Sequence, residues 1–171
     1  MKRLLPLTLL LLTFAASAQV RTYGDMETKT FVIGLSLYYF GDAGTLTLSS
    51  GVTASLSGGK VTSGDQVLLT GAPAGNTLIG AHDFTEDGQP ELVVATRGPG
   101  IVKAEVYQYS RGRWTLLGTA GTRGDVDEIR VFRQALTVKD RTSGTLHTWT
   151  FHGGRFDYKS SAGGSDPAAG I

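Results

Sequence analysis

The sequence predicts an all-β fold, and three observations carry that reading. Its 24 glycines recur between short runs of Val, Leu, Ile, Thr and aromatic residues, the pattern of many short strands joined by tight turns. No window sustains an i, i+3, i+4, i+7 apolar rhythm between caps, so little helix is expected. An offset of 42 residues lays Asp83–Gly121 over Asp125–Gly163 without a gap, which marks a repeated supersecondary unit. The expected architecture is short antiparallel strands and hairpins in a compact meander or β-roll.

Residues 1–18 read as a signal peptide. Lys2 and Arg3 precede an apolar run from Leu4 to Phe14, and Ala16-Ser17-Ala18 has the small-x-small pattern of a signal-peptidase site. That run is shorter than the roughly 20 apolar residues of a spanning helix. Cleavage before Gln19 and export to a periplasm or the cell exterior are expected, with no membrane anchor in the mature chain. Loss of Lys2 and Arg3 leaves 14 of the 16 basic residues against 15 acidic ones, a charge of −1 with His neutral. Neither a basic stripe for nucleic acid nor a polybasic cluster for anionic lipid is present. The chain has no cysteine, which excludes disulfides, thiol catalysis, cysteine zinc sites and a lipidated cysteine.

Residues 19–30 read as a loose lead-in, and residues 31–160 as a single β domain. FVIGLSLYYF (31–40) has the length of strands, and TLTLSS, VTASLS and DQVLLTG alternate as half-buried strands do. Gly71–Asn76 is a connector. The repeat-like units are 83–121 and 125–163. Tyr107 falls on Trp149, Tyr109 on Phe151, Gly112 on Gly154, Arg113 on Arg155 and Trp114 on Phe156. Both copies read as a hairpin with aromatics on one face. Such aromatics serve a small β core or, alternatively, a carbohydrate-binding face. Ala54–Val61 resembles the hairpin a third time. DVDEIRVF (125–132) offers a helical turn at best. The small, polar tail 161–171 is expected to be disordered.

The stretch HDFTEDGQPELVVATRG (82–98) concentrates acidic side chains and a glycine ahead of β-forming residues. A calcium loop needs several hard oxygen ligands on alternating residues, with a glycine where the chain turns around the ion. With Asp83 as position 1, Thr85 stands at 3, Asp87 at 5, Gly88 at 6, Gln89 at 7 and Glu91 at 9. Asp83, Asp87 and Glu91 can supply carboxylates, Thr85 a hydroxyl or a water bridge, and Gln89 its main-chain carbonyl. Position 12 is Val94 and a strand follows, so the loop is not an EF-hand. A solvated acidic turn is the alternative reading, with Asp83 and Gly88 serving turn geometry.

The run D-F-x-x-D-G-x-P-E-L-V-V resembles the FG-GAP/VCBS-type repeat, with its core D-x-D/N-x-D-G-x-x-D and following hydrophobic strand. The resemblance implies propeller-blade-like units, calcium in the loop, and Asp83, Asp87 and Glu91 as side-chain ligands. It also implies adhesion or recognition outside the cell. Thr85 stands where Asp or Asn is usual, and Glu91 where Asp is. With room for three units after cleavage, a full propeller of four or more blades is not expected.

Other chemistry has little support in the sequence. His147 and His152 lie five apart and so on opposite faces of a continuous strand, which suits no zinc pair. His82 stands beside the acidic loop, where a surface or hydrogen-bonded residue is the ordinary role. No G-x-S-x-G elbow and no G-x-x-x-x-G-K-[ST] loop occurs. Glu86, Asp87 and Glu91 are too closely grouped in one turn to flank a glycosidase cleft. The expected function is that of an exported, non-enzymatic binding or scaffold module with one structural calcium loop and an extracellular or periplasmic protein or glycan partner. The alternatives are a metal-free structural envelope or secreted protein, and a hydrolase with an unrecognised site.

Overall fold

The computed structural model describes residues 30–33, 36–38, 40–124, 126–169 and 171. The signal-peptide expectation, and the lead-in apart from Thr30, lie outside the described residues. The chain is all-β, with no helix among the described residues. Its strands are β1 (Thr30–Ile33), β2 (Ser36–Tyr38), β3 (Ala43–Thr47), β4 (Thr53–Ser57), β5 (Lys60–Ser63), β6 (Gln66–Leu69) and β7 (Thr77–His82). They continue as β8 (Glu91–Gly98), β9 (Ile101–Ser110), β10 (Arg113–Arg123), β11 (Val126–Phe132), β12 (Ala135–Asp140), β13 (Leu146–His152) and β14 (Arg155–Ser160). The stretch 126–132, read from sequence as a helical turn at best, is therefore a strand. Its alternate residues Ile129 and Val131 are buried, so a period-2 face decides its state.

Among the described residues, three antiparallel meanders of four strands form the body of the fold: β3–β6, β7–β10 and β11–β14. The third is extended by β1, which runs parallel to β11, and by β2. Among the described residues none of these sheets closes into a barrel or propeller. The middle sheet is covered on both faces. Leu92, Val94, Tyr107 and Trp114 pack with Leu48, Ala54, Leu56 and Val61 of the first meander and its turn. Val93, Ala95, Val102, Ala104 and Val106 pack with Ile129, Val131, Leu136, Val138, Trp149 and Phe151 of the third. This explains why β8 reads as a continuous apolar run: a strand buried on both faces has no polar side to alternate with. The outer faces are mainly polar, with Val67, Phe132 and Leu146 also exposed on them. Thr45, Thr47, Thr53 and Ser57 stand exposed on one, and Thr150, His152, Asp157 and Lys159 on the other. The stack ends where the apolar faces end.

The repeated aromatics are mostly buried. Tyr107 and Trp114, with Tyr109 partly buried beside them, face the first meander. Trp149 and Phe151, with Phe156 partly buried, face the second. Each aromatic face thus rests on the preceding sheet, as members of a core. Phe156 packs so closely on β10 that a Cβ at Gly118 would lie 2.7 Å from its ring.

The 42-residue offset carries β8, β9 and β10 onto β12, β13 and β14. It fails at the first strand, because residues 83–90 link β7 to β8 while Arg133-Gln134 alone link β11 to β12. Glu128, matched to Glu86 by the offset, accordingly belongs to β11; Asp125, matched to Asp83, lies outside the described residues. The third likeness, at 54–61, falls on the β4–β5 hairpin, the middle one of its sheet, whereas the other two are final hairpins.

Two local devices protect this stack. Gln66 reaches across to the edge of β10, where its Oε1 accepts from Trp114 N–H at 2.7 Å and its Nε2 donates to Trp114 C=O at 3.5 Å. One amide thereby occupies the groups that an added strand would use. Gln66→Ala should cost about 1 kcal/mol and promote association at rising concentration. Urea unfolding and sedimentation would check this, and unchanged behaviour in both would show that water serves the edge as well.

Within the tail, Asp166 lies against the core. Asp166 Oδ1 accepts from the indole N–H of the fully buried Trp149 at 3.0 Å and from Ala168 N–H at 2.8 Å. Ala168 itself is buried in the core. The fold over Trp149 has no local signal, since one aspartate in SSAGGSDPAAGI finds its partner 17 residues away. Asp166→Ala should cost about 1–3 kcal/mol, the range for a buried donor left without an acceptor. Asp166→Asn, which keeps a carbonyl, should cost less. Equal urea midpoints for the two variants would remove the hydrogen bond as the cause.

Candidate metal centre

The 83–90 loop is built by its own side chains. Asp83, at the end of β7, accepts from Asp87 N–H at Oδ1 (3.2 Å) and from Gly88 N–H at Oδ2 (2.9 Å). Asp87 Oδ1 accepts from Gln89 N–H at 2.7 Å. These bonds fold the chain back on itself as Asx turns do. The reversal needs left-handed backbone at Glu86 (φ 56°) and Gly88 (φ 82°), and at the second position glycine adopts it without steric cost.

The loop is fixed to the core at two points. Phe84 is fully buried and meets Phe156 edge-to-face, with centroids 5.4 Å apart. Glu91, the first residue of β8, is 1 % exposed. Its Oε2 accepts from Phe84 N–H at 2.7 Å and from Thr85 N–H at 3.4 Å, and its Oε1 accepts from the Thr85 hydroxyl at 3.0 Å. Burial pushes the Glu91 carboxyl above its ordinary 4.5, against the lowering effect of these donors, and the neighbouring Asp87 charge adds to the rise.

Of the five residues singled out from sequence, the structure brings one carboxylate oxygen from each of Asp83, Asp87 and Glu91 within 4.8 Å of one another. Thr85 joins them as the hydroxyl donor to Glu91. Gln89 is exposed and contributes its N–H to Asp87. Glu86 is exposed on the turn. His82 meets the Phe84 ring edge-on and bonds through Nε2 to the Arg133 carbonyl. His147 bonds through Nδ1 to the Tyr158 hydroxyl at 2.8 Å. Sequence reasoning gave no sign of Phe84 as the loop's anchor. Its only signal is an aromatic residue inside a polar turn.

The donor set fits a hard divalent cation. Three carboxylates offer about twelve lone-pair positions, and the six hydrogen bonds above occupy about half. The charge acting on Glu91 is that of another carboxylate, Asp87. Calcium takes 6–8 oxygens at about 2.3–2.6 Å, so three carboxylates would be completed by carbonyls or water. Among the described residues, no helix is long and apolar enough to cross a membrane. No protein-family model, no curated protein and no solved structure matches the chain.

Proposed function

We propose that this chain is an exported, non-enzymatic β module whose 83–91 loop holds one hard divalent cation, calcium by the loop's resemblance to the FG-GAP/VCBS-type calcium loop. The observation that carries this reading is the convergence of Asp83, Asp87 and Glu91 within 4.8 Å. Two of them lie on an exposed or half-buried turn and the third is buried at the head of β8. Bound calcium would supply positive charge to a loop with three carboxylates and tie the turn to the central strand. The surrounding loops would then meet a protein or glycan partner as a rigid surface. The resemblance of 83–94 to the FG-GAP/VCBS-type loop supports the same reading, and the order of basic, apolar and small residues in 1–18 supports export.

Thermal melts of the chain from Gln19 onward, in excess EDTA, in 10 mM calcium and in 10 mM magnesium, test the proposal. With a Kd of about 10⁻⁴ M, that calcium level stabilises the fold by roughly 2.7 kcal/mol. The midpoint of a domain of this size should rise by about 5–10 °C. Asp87→Ala should abolish the rise. Coincident melts would overturn the reading.

One observation favours an ion-free role. Asp83 and Asp87 already hold the turn by accepting from Asp87, Gly88 and Gln89 N–H groups, and Glu91 holds its base. On that reading the loop is a self-sufficient brace in a structural protein, and coincident melts are its expected result.

A further inference from the structure

We draw no further inference here: the strongest candidate, the shallow pocket between the 83–90 loop, the β3–β4 turn at Ser50 and the end of β9 at Gln108 and Tyr109, shares Asp87 and Glu91 with the site already described, and nothing in the structure shows what would fill it.

Discussion

Phe84→Ala should destabilise the protein by about 3–5 kcal/mol, the range for a buried aromatic truncated to a methyl group. Phe84 is fully buried in the cluster shared by the second and third meanders. It lies edge-to-face against Phe156 at 5.4 Å and beneath His82 at 4.8 Å. Its removal leaves a void between sheets that cannot close without moving β14. The loss should lower the urea midpoint at constant m-value. Calcium stabilisation should fall as well, although no ligand is altered, because the buried ring anchors the backbone whose N–H orients Glu91. Phe84→Leu, which keeps most of the volume, should cost much less and preserve the calcium response. If Phe84→Ala is destabilised as expected but still gains the full calcium increment, the loop is organised by its Asx bonds alone. Its anchorage in the core would then be incidental to ion binding.

The sequence makes some of this legible and hides the rest for identifiable reasons. Strand β8 can be read because burial on both faces writes an unbroken apolar run, Leu92 to Ala95, directly after the buried Glu91. The carboxylate cluster can be read because Asp83, Asp87 and Glu91 recur at four-residue intervals through one turn. Strand β11 is poorly legible, since in sequence Val126 and Ile129 stand three apart, a spacing that the bulge between Val126 and Glu128 accounts for. The bulge at 126–128 is a tertiary accommodation to β12, and no local pattern announces it. Gln66 and Asp166 are illegible for a different reason. Each acts on a backbone or indole group 48 or 17 residues away, and a polar side chain does not reveal from its neighbours which distant group it will satisfy. The stacking order of the meanders is similarly invisible, although alternation within each strand shows which residues turn inward.

Glu91 gives the most discriminating test of the site, because its two roles pull in opposite directions. Glu91→Ala removes the acceptor for Phe84 N–H, Thr85 N–H and the Thr85 hydroxyl together. At about 1–3 kcal/mol for a buried donor left unpaired, and with water reaching part-buried Thr85, the cost should be about 2–4 kcal/mol. Glu91→Gln should behave differently. It keeps one acceptor oxygen but sets an amide NH₂ near donors, an unfavourable exchange. Against this, it removes a charge from a site whose burial already disfavours charge, as the raised pKa states. The two effects oppose, and without calcium the variant should lie within about 1 kcal/mol of wild type.

The pH dependence then separates the roles. A carboxyl whose folded pKa lies above its unfolded value binds its proton more tightly in the fold. Its contribution to stability therefore rises as pH falls from above the folded value toward 4.5, and is lost as pH rises through the folded value. Wild type in EDTA should gain from Glu91 across that window. Asp140 does not interfere there: the Ser143 N–H holds its carboxyl below 3.8, so its stabilising contribution is lost only at lower pH. In saturating calcium the sign should reverse, because the ion requires the ionised carboxylate and acidification releases it. Urea unfolding at intervals from pH 7.5 to 4.5 would show opposite slopes with and without calcium in wild type, and neither Glu91-dependent slope in Glu91→Gln. If the slope in saturating calcium is the same in wild type and Glu91→Gln, Glu91 braces the loop without binding the ion, and the calcium-linked slope belongs to Asp83 and Asp87.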